Sequence, residues 1–403
     1  ASIEKEKGVY RVPPVFDRFL RTARPEWGFE PLILLEYSNP LYETDRSVRT
    51  PEGRAAFAAW AEYMARTYRD SVRYWEIGNE PDIRFRQPEP NPREYAALLK
   101  AVYPAVKRGN PDAVVVAMAT AGIDDTFIEA VLKQGAAEHF DAVSVHPYRY
   151  PRPPEDPPTL PEKLRELAQM LDAYGATDVP ILNTEAGWPT HDGPGGLPQQ
   201  TAADYLSRMY LLLSQLPRVQ STCWSDFRND GLQPDYNEHH FGLLHRDFTP
   251  KASAVAYHMT ARALQNRRFV RSLSLASDIH ALEFEGVDGS RTVACWTTAP
   301  VASVALGWPS AEVTVTSAAG PKEVRSLEDG ILLLELDSTP LFVRGHGPVR
   351  VLESTLRANS SWGTPGGTIT LPAPVPNDWE KARAGARVVT APPGWCRTAA
   401  PLA

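Results

Sequence analysis

The chain has 403 residues, 43% of them hydrophobic, enough for one large domain of up to about 250 residues and a smaller one beside it. A net charge of −7 with Lys and Arg scattered leaves no basic stripe to neutralise a phosphate backbone, which argues against a nucleic-acid partner. No run of about 18 apolar residues occurs and the opening ASIEKEKGVY lacks signal-peptide regions, so a soluble, non-membrane protein with any export signal already removed is expected, its compartment undecided.

In chain order, PLILLEYS (31–38) reads as a strand and PEGRAAFAAWAEYMARTYRD (51–70) as a helix with Pro51 in its first turn. RYWEI (73–77) is a strand that must end near Gly78, Asn79, Glu80 and Pro81, followed by a helix over NPREYAALLKAVYPAVKRGN (91–110). Strands over AVVVAMAT (113–120), DAVSVHPY (141–148), VPILNTEAGW (179–188) and QSTCWSDF (220–227) continue the series, with helices near 124–135, 160–175, 200–215 and 250–265. Alternating strands and amphipathic helices predict parallel strands joined by crossover helices. Neither GxGxxG nor GxxxxGK[ST] is present, which argues against a doubly wound nucleotide fold. Polar and aromatic residues instead close most strands: Glu36, Tyr37 and Asn39; Asn79 and Glu80; His146 and Tyr148; Glu185 and Trp188; Trp224 and Asp226. In a (β/α)8 barrel those strand ends meet on one face, where active sites are built.

After residue 268 the texture changes to short alternating runs, IHALEFEG, TVACWTTA, EVTVTSAAG, GILLLELD and PLFVRG, which predict a β-sandwich. The expected division is a barrel over 1–267, a sandwich over 268–345 and a Pro/Gly-rich extension with some β structure over 346–403. Cys223, Cys295 and Cys396 lie far apart with no CxxC pair, which argues against a zinc site or a disulfide framework, although one pair can still bridge. The 38 prolines gather in PRPPEDPPTLPE and APVPNDWE as rigid connections, and Asn359-Ser360-Ser361 is a glycosylation sequon if the source is a secreting eukaryote.

Glu80 and Glu185 each close a strand, and two carboxylates converging on a cleft are what glycoside hydrolysis requires. One protonates the leaving oxygen while the other attacks the anomeric carbon or activates water. Asn79 is placed to contact a sugar hydroxyl, and Trp188 and Trp224 offer flat faces for sugar rings. Alone, each of these has an ordinary reading: a turn glutamate beside a proline, core tryptophans, a structural histidine at 146. NEHHFGLLH (237–245) holds three histidines and an acid but no HExxH or other ligand spacing, so neither a metal nor a cofactor is expected.

WEIGNEPD, VSVHPY, ILNTEAGWP and HFGLLHRDFTPKASAVAYHM together resemble the clan A glycoside hydrolases, most closely family 39 and its relatives. The resemblance implies a barrel with a C-terminal sandwich, with Glu80 after the fourth barrel strand as general acid/base and Glu185 after the seventh as nucleophile. It further implies that Asn79 contacts the sugar 2-hydroxyl, and that His146, Tyr148 and Trp224 line the cleft of a carbohydrate substrate; Tyr37 and Trp188, aromatic residues at other strand ends, are further candidates for substrate binding. If Glu80 ends the fourth strand, PLILLEYS is the third, and about 30 residues before it are too few for two strands and their helices. The first two barrel strands, and an arginine that relatives often carry there, are therefore expected to be absent from this sequence. A catalytically inactive carbohydrate-binding barrel and a hexuronidase-type relative are the alternatives, and the loops 148–161 and 187–200 leave the sugar and exo or endo action open.

Overall fold

The computed structural model describes residues 3–83 and 89–356. The chain divides into two compact units, Ala1–Tyr205 with Leu212–Thr249, and Leu206–Leu211 with Pro250–Ala403. The sequon and most of the expected extension lie outside the described residues.

The first unit opens with a short hairpin, β1 (Glu4–Glu6) and β2 (Val9–Tyr10), and helix α1 (Pro14–Thr22). There follow β3 (Leu32–Leu35), α2 (Pro51–Thr67), β4 (Tyr74–Ile77), α3 (Pro92–Gly109), β5 (Val114–Ala121), α4 (Asp125–Leu132), β6 (Ala142–His146), α5 (Leu160–Ala173), β7 (Ile181–Ala186), α6 (Gln199–Leu213) and β8 (Val219–Trp224). The helix starts are written locally. Pro51 and Pro92 occupy first-turn positions behind Thr50 and Asn91, whose side chains accept backbone N–H groups, and Thr159 with Glu162 closes a capping box on α5.

β3 to β8 form one sheet in sequence order, every pairing parallel. β3 and β5 are near-continuous apolar runs, and all five residues of β6 are buried, as in the covered part of a parallel sheet. The sheet is strongly curved. Three strand spacings separate β4 from β7, about 14 Å across a flat sheet, yet the Thr184 hydroxyl on β7 donates to Glu76 on β4 over 2.9 Å. Six strands of a (β/α)8 barrel are thus present as an arc, and the edge strands β3 and β8 are paired on one side only among the described residues.

Among the described residues the second unit contains α7 (Ala252–Leu264) and an antiparallel sandwich of nine strands: β9 (Arg267–Ser272), β10 (Ile279–Gly286), β11 (Ser290–Thr297), β12 (Ala302–Gly307), β13 (Glu312–Ser317), β14 (Lys322–Ser326), β15 (Ile331–Leu336), β16 (Leu341–His346) and β17 (Arg350–Leu356). One sheet has the order β14-β13-β16-β11-β10-β9 and the other β15-β12-β17. Val293, Val313, Val315 and Val343 of the first sheet meet Val304, Leu306, Leu332 and Leu334 of the second in one buried core, which also takes up Cys295. Cys295 and Cys223 are both free thiols, and Cys396 lies outside the described residues. Among the described residues no helix is long and apolar enough to cross a membrane.

Candidate active site

The carboxyl ends of β4, β6 and β7 bring three of the expected residues together. His146, the last residue of β6 and wholly buried, sits between the two glutamates, with Nδ1 3.2 Å from Glu80 Oε1 and 3.7 Å from Glu185 Oε2. The nearest carboxylate oxygens of Glu80 and Glu185 and the His146 nitrogen all lie within 4.8 Å of one another. The Tyr148 hydroxyl donates to Glu185 Oε2 at 3.0 Å.

Backbone geometry presents Glu80. β4 ends at Ile77, Gly78 turns the chain at φ 76°, and Glu80 itself adopts φ 47°, a conformation non-glycine residues rarely occupy. The turn is pinned on both sides, by Gly78 N–H to Leu35 C=O and by Glu80 N–H to Ala119 C=O, each 2.8 Å. Glu185 lies within β7, one residue before its end, so a regular strand fixes its backbone.

Electrostatically the site is a carboxylate cluster around one imidazole. Burial raises the pKa of Glu185, opposed by the charge of His146 and the hydrogen bond from Tyr148. Burial works against a proton on His146, but its hydrogen bond to Glu80 and the fields of Glu185, Glu76 and Glu80 outweigh it and raise its pKa. Tyr148, half-buried beside Glu185, is held protonated well above the usual tyrosine range, first by burial. Below the pair, Glu76 is buried in β4, and burial raises its pKa against the charge of His146 and the hydrogen bond from Thr184. The imidazole and two carboxylates are donor types that a divalent cation accepts, but here they pair with one another and with Tyr148.

The aromatic residues divide. Tyr148, Tyr150 and Phe241 form a ring cluster with centroids 5.3 to 6.1 Å apart. Trp224 remains partly exposed at the end of β8, its Nε1 donating to Phe241 C=O at 2.8 Å. Trp188, expected as a second sugar platform, is 1% exposed, packs on Tyr205 and Trp224, and donates its Nε1 to Arg152 C=O. The reason is local: Ala186 C=O accepts from Ser225 N–H, and Gly187 lies so close to Ser225 that a Cβ would sit 2.4 Å from its carbonyl oxygen. That close approach draws residues 186–189 under the end of β8. Asn79 is half-buried with Oδ1 enclosed, and Tyr37, 40% exposed after β3, carries the Arg46 guanidinium over its ring.

Of the NEHHFGLLH histidines, His239 accepts from Gln233 N–H, His240 bonds Gln233 C=O and His245 pairs with Gln199, so the segment serves as loop scaffolding. Sequence reasoning passed over Glu76, Tyr95 and Asp82. Glu76 had a signal, a lone acid inside the apolar run YWEI, whereas the other two matter through a backbone bulge that leaves no sequence pattern.

No protein-family model matches the sequence, and no curated protein does. Among solved structures the chain is similar to a family 39 glycoside hydrolase from Bacteroides cellulosilyticus WH2, at 29% identity and a TM-score of 0.74 over 85% of this chain and 72% of that one. A family 39 β-xylosidase from Caulobacter crescentus, at 15% identity and a TM-score of 0.60, shares the fold over 86% of this chain and 85% of its own. So does a glucosidase from Croceicoccus marinus, at 16% identity and a TM-score of 0.63, over 86% and 83%. The fold is that of the barrel-type glycoside hydrolases. Within them, the chain resembles family 39 of clan A.

Proposed function

We propose that this protein hydrolyses β-glycosidic bonds of an oligo- or polysaccharide by double displacement, with retention of anomeric configuration and with no metal or cofactor. The observation that carries the reading is the approach of Glu80 and Glu185 to within 4.8 Å across the strand ends, because separations of about 5 to 5.5 Å are those of retaining rather than inverting carboxylate pairs. Glu185 is the nucleophile: His146 and Tyr148 offset the burial that disfavours its charge, so it attacks the anomeric carbon as a carboxylate. Glu80 is the acid/base, giving its proton to the leaving oxygen and then taking one from the water that releases the sugar. His146 holds the two glutamates in register, and Asn79, Tyr148, Trp224 and Tyr37 line the sugar site. The proposed domain arrangement is the barrel expected over 1–267, the sandwich expected over 268–345, which β16 and β17 carry on to Leu356, and the extension beyond it.

The test is a panel of aryl β-xylosides, β-glucosides, α-L-arabinofuranosides and plant and bacterial polysaccharides, run on the wild type and on Glu185→Gln. Cleavage by the wild type alone is expected, and azide should restore turnover to Glu185→Ala with a glycosyl azide of inverted configuration. Full activity in Glu185→Gln would overturn the assignment. Glycan binding by calorimetry with no product from the wild type would favour a binding protein on a degenerate barrel.

A further inference from the structure

A carboxylate is aimed only as well as its backbone is held, and Glu80 sits at a φ of 47°. Its N–H bonds the carbonyl of Ala119, which is itself unusual. Met118 and Ala119 are consecutive non-glycine residues at φ 84° and 44°, both wholly buried, where β5 slips register against β6. Such a conformation is costly for a non-glycine residue and persists only where its surroundings determine it. This bulge turns the Ala119 carbonyl toward Glu80 and the Ala121 N–H toward Asp82.

The surroundings that determine it are specific. The Tyr95 hydroxyl, on α3, donates to Ile77 C=O at 2.8 Å and accepts from Met118 N–H at 2.8 Å. A single buried oxygen thus ties the last residue of β4 to the first residue of the bulge. Beyond Glu80, Asp82 Oδ1 accepts from Ala121 N–H at 2.9 Å, closing the other end. From β6, the Ser144 hydroxyl accepts from Ala119 N–H at 3.1 Å and donates to Ala117 C=O at 3.2 Å. Glu80 lies between the two ties.

We propose that Tyr95 and Asp82 are positioning residues for Glu80, locking segment 77–82 onto the bulge of β5 so that the Glu80 carboxylate meets the leaving oxygen. The inference rests on the reading of Glu80 as the acid/base. Tyr95 is buried among Ile77, Met118 and Phe127 and acts through the backbone alone. Removing its hydroxyl leaves a buried carbonyl and a buried N–H unpaired, and the turn relaxes to recover them. A misplacement of about 1 Å at the proton donor is enough to cost up to about a hundredfold in rate.

The experiment compares kcat/KM on phenyl and 2,4-dinitrophenyl glycosides of the sugar that the wild type cleaves, for wild type, Glu80→Gln, Tyr95→Phe and Asp82→Ala. The dinitrophenolate departs without protonation and the phenolate needs it. Glu80→Gln serves as the reference, with an expected loss of about 10²–10⁴ confined to the phenyl substrate. If it instead loses both substrates equally, the acid/base reading fails, whatever the other variants do. Given that reference, Tyr95→Phe and Asp82→Ala should each lose about tenfold or more on the phenyl glycoside and less than about threefold on the dinitrophenyl one. Equal losses on both substrates, or none on either, would overturn the positioning role. Should Tyr95→Phe fail to give the wild-type circular dichroism spectrum, Asp82→Ala, changed at a half-buried loop residue, decides the matter by the same ratio.

Discussion

Glu185 carries its charge in a place that disfavours charge, and two neighbours make this tolerable. Burial raises its pKa, while His146 and the Tyr148 hydroxyl pull it back, so ionised Glu185 should be lost as the pH falls through a value above the ordinary glutamate range. Removing either neighbour lets burial act with less opposition. Tyr148→Phe deletes a hydrogen bond to a charged group, worth about 1.5–3 kcal/mol, and one pKa unit is about 1.4 kcal/mol. The acidic limb of the kcat/KM profile should therefore move up by roughly one pH unit or more in Tyr148→Phe. His146→Gln should move it in the same direction, since the imidazolium charge is the largest influence holding the pKa down. A limb that stays in place in both variants would show that another group controls ionisation. Trp188→Phe changes a buried ring that packs on Trp224, and it should give a loss of stability in thermal unfolding rather than a loss confined to KM.

At the scale of elements, the turn after β4 and the bulge in β5 are one device, and Asp82 makes it sensitive to pH. Burial raises the Asp82 pKa to about 6, with Asp124 and Glu80 adding to the shift and the Ala121 N–H opposing it. A carboxyl whose folded-state pKa is raised stabilises the fold below its unfolded value, about 3.9, and that contribution is lost as the pH rises through about 6. Asp82→Asn retains an acceptor and cannot ionise, so its melting temperature relative to wild type should rise between pH 4 and pH 7. A difference that is flat across that window would contradict the shift. These same elements show what the sequence carries. Helix starts are encoded within a few residues, as at Thr50-Pro51 and Thr159 to Glu162, and the expected elements of the first unit match to within a few residues. Both glutamates were legible because strand ends can be read from a change of texture. The bulge was not: AVVVAMAT reads as regular strand, and nothing in Met118 or Ala119 announces positive φ in the way a glycine would. β9 and β14 were missed for the opposite reason, since RRFVRS and KEVRS are the charged, exposed edges of their sheet and lack the alternation that marks a strand.

For the whole molecule, the two units rest on different packing. In the sandwich, Leu306 is wholly buried where both sheets contribute side chains, and Leu306→Ala should cost about 2–5 kcal/mol, read as a lower denaturant midpoint. In the first unit, curvature is what makes a site from a sheet, because it brings the ends of β4 and β7 to within a hydrogen bond of one another across three strand spacings. That curvature also sets the distance between Glu80 and Glu185, and under the proposed mechanism this distance decides between retention and inversion. The measurement that tests this most directly is proton NMR of the anomeric signal of the first sugar released from an aryl glycoside, recorded before mutarotation. The account predicts that this sugar keeps the configuration of the substrate. A product of inverted configuration would show that water, not Glu185, attacks the anomeric carbon, and would contradict the double-displacement mechanism.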